Sequence, residues 1–182
     1  RMTLRAEEPG GKSRRRRKRV SLRLADSFGR GIPPLGLGVP ACPEPLSARA
    51  RGLLRAASPS HLRVSLATAD VAAEAASQAA SLTAAVQVSI MLGSDPEGEL
   101  VQVAPLVAGL APHIRDVLVL AANGEATGSP EVSLVRKELT RLLPRARFHG
   151  GTSASFCQLN RAEIDVASVD GLVYAVHPQE HA

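Results

Sequence analysis

Residues 86–97 read VQVSIMLGSDPE and contain the start of one strand–helix unit. The first seven residues, 86–92, form a short apolar run, which is typical of a strand buried in a parallel sheet. Asp95, Pro96 and Glu97 then provide a helix N-cap, a proline at the first helical position and an acid in the first turn. The stretch therefore predicts a strand followed directly by a helix.

The same pattern recurs on both sides of this stretch. Ser129-Pro130-Glu131 repeats the three-residue start after an apolar run at 114–122, and predicts a helix over 131–143. Upstream, residues 46–57 have helical spacing, 61–68 have the composition of a strand, and Asp70 is a candidate N-cap for an alanine-rich helix. Strand starts near residues 62, 86, 115, 147 and 172 are 24 to 32 residues apart, which suits one strand and one helix per unit.

A further apolar segment at 35–39 brings the number of strands to about six. We therefore predict an α/β fold, an incomplete (β/α)8 TIM-type barrel with about six parallel strands, over residues 32–182. Because a complete barrel needs roughly 250 residues, we expect the remaining units to follow Ala182. The competing fold is an open doubly wound sheet. Residues 36–41 even spell GxGxxA, but prolines follow where the helix should open and no acid lies at the ribose-binding distance.

The composition narrows the class of protein. Of the 182 residues, 45% are hydrophobic but only 2% are aromatic, so the core must consist of Leu, Val, Ile and Ala, and a base-stacking platform is excluded. Cys42 and Cys157 are far apart, which excludes a disulfide framework and a thiolate zinc site. No apolar run approaches the ~20 residues that cross a bilayer, and the amino end lacks a signal-peptide core. We expect a cytoplasmic protein with no membrane partner.

The positive charge is local. The net charge is +5, and the RRRRKR run at 14–19 contributes +6, so the rest of the chain carries about 5 − 6 = −1. Residues 1–31 are predicted to be basic and poorly structured, or the remnant of a preceding β module. The run could associate with nucleic acid, but no aromatic or base-reading residues accompany it. A solvated linker is therefore the favoured interpretation.

Candidate site residues follow the predicted strands, because parallel α/β folds place their sites at the carboxyl ends of the strands. His149 is one of the polar residues expected at these ends. His177 and His181 are the predicted catalytic residues, since neither capping nor core packing explains two histidines directly after the last strand. The predicted substrate-binding residues are Asn123, Thr152, Gln158, Asn160 and Gln179. Residues 177–181 also match the HxxEH metalloprotease pattern, but the segment contains a proline and leaves a strand, so we predict neither a metal nor a cofactor.

Two other polar residues fall inside or beside a strand. His61 precedes its strand and is expected at the opposite, amino-terminal face, as a structural histidine. Arg63 lies within an otherwise apolar strand. It is either a charge paired at the barrel axis or a residue of the outward face, and buried charges need partners.

Two passages carry a family resemblance. The first consists of PLGLG at 34–38, LLR at 53–55 and PSHLRV at 59–64. The second consists of GGT at 150–152, Phe156, LNR at 159–161, and PQ at 178–179 with His181-Ala182. Together, in this order, they resemble the barrel domain of D-apionate lactonases and their relatives.

The resemblance implies an enzyme, in its full-length form, that hydrolyses a sugar-acid lactone on a barrel similar to those of glycoside hydrolases. The partner would be a small sugar-acid lactone, and the isolated chain would lack part of the site. The family motif ends in Thr-Glu-Leu-Asn, whereas this sequence has Cys157-Gln158-Leu159-Asn160. Because an amide cannot exchange a proton at neutral pH, a glycoside-hydrolase-like or catalytically degenerate barrel that binds a sugar or a protein is the alternative. The oligomeric state is not predicted.

Overall fold

Six parallel strands form one sheet in the order in which they occur along the chain. The structure is a computed structural model, and it describes residues 33–40 and 44–176. Consecutive strands pair in parallel throughout and curl into a half-barrel, which confirms the predicted incomplete (β/α) TIM-type barrel. The strands are β1 Gly36–Gly38, β2 His61–Ser65, β3 Ala85–Leu92, β4 Ile114–Ala121, β5 Arg147–Ser155 and β6 Leu172–Ala175.

Each pair of neighbouring strands is joined through helical structure. The helices are α1 Ala48–Ala57, α2 Ala69–Leu82, α3 Pro96–Leu110, α4 Ser129–Leu139 and the short α5 Phe156–Arg161, which is followed by a 3-10 turn at Val166–Ser168. Within the described residues, none of these helices combines the length and the apolar character that spanning a bilayer requires. The predicted amino-terminal segment, 1–31, lies outside the described residues.

The helix starts follow capping chemistry, with two corrections. Asp95 caps α3 as predicted, because its side chain accepts a hydrogen bond from the Gly98 N–H at 3.1 Å. The N-cap of α2 is Thr68 rather than the predicted Asp70. Asp70 is the second residue of the helix and an acid of its first turn. For α4 the cap is Gly128, whose N–H donates to the Glu131 carboxylate at 2.9 Å. This helix therefore covers Ser129–Leu139 instead of the predicted 131–143.

Side-chain alternation divides the sheet into two faces. One face packs against the helices and consists almost entirely of branched aliphatic residues. It includes Leu62 and Val64 of β2, Val86, Val88 and Ile90 of β3, and Val117 and Val119 of β4, all of which are at most 2% exposed. Buried alanines at 72, 75 and 79 let α2 approach this face closely, which is how the core closes with few aromatic rings. The opposite, inner face of the half-barrel carries the polar residues.

The consecutive glycines of β5 bring three chain segments together. Gly151 has φ +137°, and a Cβ atom there would lie 2.0 Å from the Val173 carbonyl oxygen of β6. A Cβ at Gly150 would lie 2.8 Å from the Thr127 carbonyl oxygen. Thr127 and Gly151 exchange backbone hydrogen bonds of 2.8 and 3.0 Å, so the loop after β4 lies directly on β5. Only glycine fits this approach.

Replacement of Gly151 by alanine is expected to lower the free energy of unfolding by about 3 kcal/mol, from backbone strain and the clash with β6. The matched control is Gly52→Ala, because Gly52 lies within α1 with no atom in the way of a Cβ. That change should raise stability by about 0.5–1 kcal/mol. Chemical denaturation of the two variants measures both effects, and equal midpoints would contradict the crowding at Gly151.

Candidate functional site

Two of the predicted binding residues meet at the loop that follows β4. The Asn123 side chain is exposed, and its Oδ1 accepts a hydrogen bond from the Glu125 N–H at 3.0 Å. Thr152 is 0% exposed; its hydroxyl donates to the Gly124 carbonyl at 2.7 Å and accepts from the Ala154 N–H at 2.9 Å. Both side chains therefore shape the same loop at the carboxyl end of the sheet. Their roles in substrate binding remain predictions.

Gln158 and Asn160 lie on α5, which begins at the residue after β5. Leu159 between them is buried and anchors this short helix, while Gln158 is half-buried and Asn160 is exposed. Both amides are thus at the carboxyl edge of the sheet, where parallel α/β folds place their sites. Binding of substrate by either one stays a prediction.

The remaining predicted site residues are His177, Gln179 and His181, and all three lie outside the described residues. The described chain ends at Val176, directly after β6. Their proposed catalytic and binding roles therefore remain predictions from the sequence.

The inner face of the sheet contains a buried carboxylate that sequence reasoning missed. Asp116 of β4 is 3% exposed. Its Oδ1 accepts from the Arg147 guanidinium at 2.7 Å and contacts the His149 Nε2 at 2.9 Å, both on β5, while its Oδ2 accepts from the Gln87 amide of β3 at 3.3 Å. Burial alone would raise the pKa of Asp116, but the hydrogen bonds from His149, Gln87 and Arg147 outweigh it and lower the pKa below its ordinary value.

His149 therefore occupies a different place from the one its sequence position suggests. The sequence predicts it among the polar residues of the carboxyl ends, yet it is the third residue of β5 and its side chain is only 13% exposed. The Cα partner of His149 is Leu118 in the middle of β4, so the imidazole lies inside the half-barrel. Gly171 faces the Nδ1 edge of the ring, since a Cβ at residue 171 would be 2.6 Å from that nitrogen.

His61 lies at the amino end of the sheet, as expected. It is the first residue of β2, its Nδ1 is 2.8 Å from the Ser60 hydroxyl, and its ring covers Gly36 of β1, where a Cβ would collide with it. Burial lowers the pKa of His61 and Arg115 lowers it further, whereas the charge of Asp116 opposes them. These contacts describe a histidine that packs β2 against β1.

Arg63 belongs to the inner face, which excludes the outward alternative; it is not the buried, paired charge of the other alternative either, because it is exposed. Its strand neighbours Leu62 and Val64 are buried in the core against the helices, so Arg63 points the opposite way. The Arg63 Nε donates to the Ser89 hydroxyl of β3 at 3.1 Å. No carboxylate lies within salt-bridge distance of Arg63 among the described residues. Arg63 is thus an inward cation held by a neutral partner.

A cavity of about 290 Å³ opens on this face. Polar and apolar side chains line it together: Arg63, Gln87, Leu118, His149, Leu172, Val173 and Tyr174. Tyr174 packs edge-to-face on Phe156 of α5, with ring centroids 5.3 Å apart, so the wall of the cavity is connected to the helix that carries Gln158 and Asn160. In the described part of the chain, no three His, Cys, Asp or Glu side chains are grouped closely enough to hold a metal ion. A few donors among apolar groups is the usual composition of a site for a small organic ligand.

The comparison with protein families agrees with this architecture. The family model described as D-apionate lactonase, TIM barrel domain, matches residues 35–182, a range that includes all six described strands. The match covers 148 of 182 residues, since 182 − 35 + 1 = 148. No curated protein matches the chain in sequence.

Substitution of Asp116 by asparagine is expected to make stability less sensitive to acid. Because the folded-state pKa of Asp116 is lowered, its contribution is complete above the unfolded value of about 4 and is lost as pH falls through the folded value. Asp116→Asn should cost about 2 kcal/mol at pH 7 and flatten the dependence of the free energy of unfolding on pH below about 4.

The Asp116→Asn variant should still lose some stability as the pH falls, because a second carboxylate contributes. The pKa of Asp170 is also lowered, first by the Phe148 N–H and then by Arg136. Urea titrations of wild type and Asp116→Asn between pH 7 and pH 2 measure the difference, and parallel stability curves would contradict the assigned role of Asp116.

Proposed function

This chain belongs to the D-apionate lactonase family through its TIM barrel domain, and from that premise we propose that the intact protein hydrolyses the ester ring of a sugar-acid lactone. The observation that carries the proposal within the family is the inner-face cavity. Its volume of about 290 Å³ is just below the roughly 300–1,000 Å³ typical of ligand pockets, which suits a single small ring.

The cavity has the donors that a lactone requires. The Arg63 guanidinium can meet a carbonyl oxygen, and the Tyr174 ring with Leu118 offers apolar surface to the carbon skeleton. Lactone hydrolysis places negative charge on the carbonyl oxygen in its tetrahedral intermediate. Fixed donors aimed at that oxygen accelerate such a reaction, because the charge they stabilise is largest in the transition state.

Hydrolysis itself needs a proton acceptor for the attacking water. In the proposed reaction His181, which follows His177 by four residues, takes a proton from water as the oxygen attacks the carbonyl carbon. The bond between that carbon and the ring oxygen then breaks, the proton passes to the departing alkoxide, and the product is an open-chain hydroxy acid. Gln158, Asn160 and Gln179 would hold the sugar hydroxyls, while Thr152 and Asn123 shape the neighbouring loop.

Gln158 supports a second candidate function. Where the family motif has a glutamate, this chain has an amide, which donates and accepts hydrogen bonds but does not transfer protons at neutral pH. A barrel that has lost turnover would still bind a sugar acid through its remaining donors. Binding without catalysis is therefore the alternative that the chemistry of this residue favours.

Replacement of His181 by alanine is expected to reduce the ring opening of sugar-acid lactones by the intact gene product about 10²- to 10⁴-fold, the range typical of a lost general base. Acid release at constant pH, with D-apionolactone and other sugar lactones, measures the rate. The matched control is His113→Ala, because His113 directly precedes β4 at the amino end of the sheet. Equal rates for wild type and His181→Ala would disprove the assignment of the base.

The variant Gln158→Glu separates the two candidate functions. If the barrel has lost turnover, the wild type opens no lactone and the glutamate restores measurable ring opening, because a carboxyl group at residue 158 can transfer a proton. If the wild type is active and Gln158→Glu leaves its rate unchanged, the degenerate-barrel alternative is rejected. The same acid-release assay provides both readings.

A further inference from the structure

We infer that Arg63 is the carboxylate-binding residue of the inner-face cavity, so that the ligand held there is an open-chain sugar acid, the product class of lactone hydrolysis. The inference rests on the proposed function, since it names the group of the substrate and product that this part of the site recognises. It adds a residue on β2 to candidates that otherwise follow β4, β5 and β6.

One hydrogen bond directs the exposed Arg63 side chain along the inner face. Its Nε donates to the Ser89 hydroxyl at 3.1 Å, and Ser89 is 3% exposed. The Cα partner of Ser89 is Ser65, the last residue of β2, so Arg63 reaches forward towards the carboxyl end of the sheet. Because Nε is the atom used, the two terminal amino groups of the planar fork are left for a ligand.

The charge balance of the inner face leaves Arg63 uncompensated. Asp116 is the acid of the cluster, and Arg147 and His149 already share it at 2.7 and 2.9 Å. None of the described carboxylates lies within 4 Å of the Arg63 guanidinium. A cation fixed beside a cavity and lacking an acidic partner attracts an anion from solution.

The geometry favours a carboxylate over other anions. A guanidinium fork binds the two oxygens of a carboxylate through parallel hydrogen bonds, and a single fork matches a single charge. Leu118, Leu172 and Val173 supply the apolar lining, and among the described lining residues only Arg63 has a permanent positive charge, since His149 is engaged by Asp116. This lining suits a singly charged anion better than a doubly charged phosphate. The same two amino groups would meet the lactone carbonyl oxygen before ring opening and the carboxylate afterwards.

The test measures binding separately from turnover. Titration calorimetry of the intact gene product with sodium D-apionate is expected to show binding that Arg63→Gln weakens about 10- to 100-fold, the loss expected for hydrogen bonds to a charged group. Arg63→Lys keeps the charge but not the planar fork, so its affinity for D-apionate should lie between those of the wild type and Arg63→Gln. The matched control is Arg51→Gln on the exposed side of α1, which should leave binding unchanged.

A neutral analogue of D-apionate measures how much of the binding depends on the carboxylate. The polyol with a hydroxymethyl group in place of the carboxylate should bind more weakly, and Arg63→Gln should not affect it. If Arg63→Gln fails to fold, Arg63→Lys and Ser89→Ala provide the same comparison, because Ser89→Ala frees the guanidinium without removing it. Unchanged affinity for D-apionate in the folded variants, or no binding by the wild type, overturns the inference.

The two proposals fail separately. If the wild type opens lactones but substitutions of Arg63 leave the affinity for D-apionate unchanged, the Arg63 inference is refuted and lactone hydrolysis is still supported. Binding of D-apionate that depends on Arg63, in a protein that opens no lactone, would refute the hydrolysis and support the inference.

Discussion

The buried carboxylate of Asp116 connects three neighbouring strands of the half-barrel. Gln87 on β3 and Arg147 and His149 on β5 all bond to this one group on β4. A carboxylate that is 3% exposed tolerates burial only while such donors surround it, so it is satisfied in one strand register alone. A slip of one residue would turn Asp116 towards the helices and Val117 into the half-barrel. The division of the sheet into an aliphatic outer face and a polar inner face depends on this register.

The outer face, in turn, shapes the edge where the chemistry is proposed. Valine and alanine side chains let the helices lie close to the strands, which sets the position of the helix that follows each loop at the carboxyl end. The loop after β4 is fixed by Thr127, whose hydroxyl donates to the Val119 carbonyl at 2.6 Å and accepts from the Gly151 N–H at 3.1 Å. The GGT motif of 150–152 thus has a physical explanation. The two glycines leave room for the loop, and the Thr152 hydroxyl holds the loop through the Gly124 carbonyl.

The sequence was sufficient for the architecture and for the elements that carry the candidate site. The six strands and the recurring units follow from apolar runs and capping residues, because these signals are local, and the family match agrees with them. Local signals also place Asn123, Gln158 and Asn160 at the carboxyl ends of strands. The sequence favours Asp70 over Thr68 as the α2 cap because two capping residue types stand two positions apart, and only the backbone conformation distinguishes them.

The pairing of side chains across strands could not be predicted in this way. Asp116 stands as a charge inside an apolar strand, which indicates an inward position, but its partners are 29 to 33 residues away and are set by register. The same limit explains why His149 was grouped with the carboxyl-end residues and why the direction of Arg63 stayed open. Thr152 was recognisable as a polar residue of β5, whereas the engagement of its hydroxyl with Gly124 depends on the fold of a loop.

The aromatic pair beside the cavity has a practical consequence for spectroscopy. The 182 residues contain one tyrosine, Tyr174, and no tryptophan, so emission that is excited at wavelengths too long for phenylalanine to absorb originates at a single ring in the cavity wall. Phe156 packs against that ring edge-to-face. A molecule that enters the cavity beside Leu118 and His149 would change the surroundings of the Tyr174 ring. The chain therefore carries an intrinsic fluorophore at the place where occupancy matters, and ligand entry can be followed optically without a label.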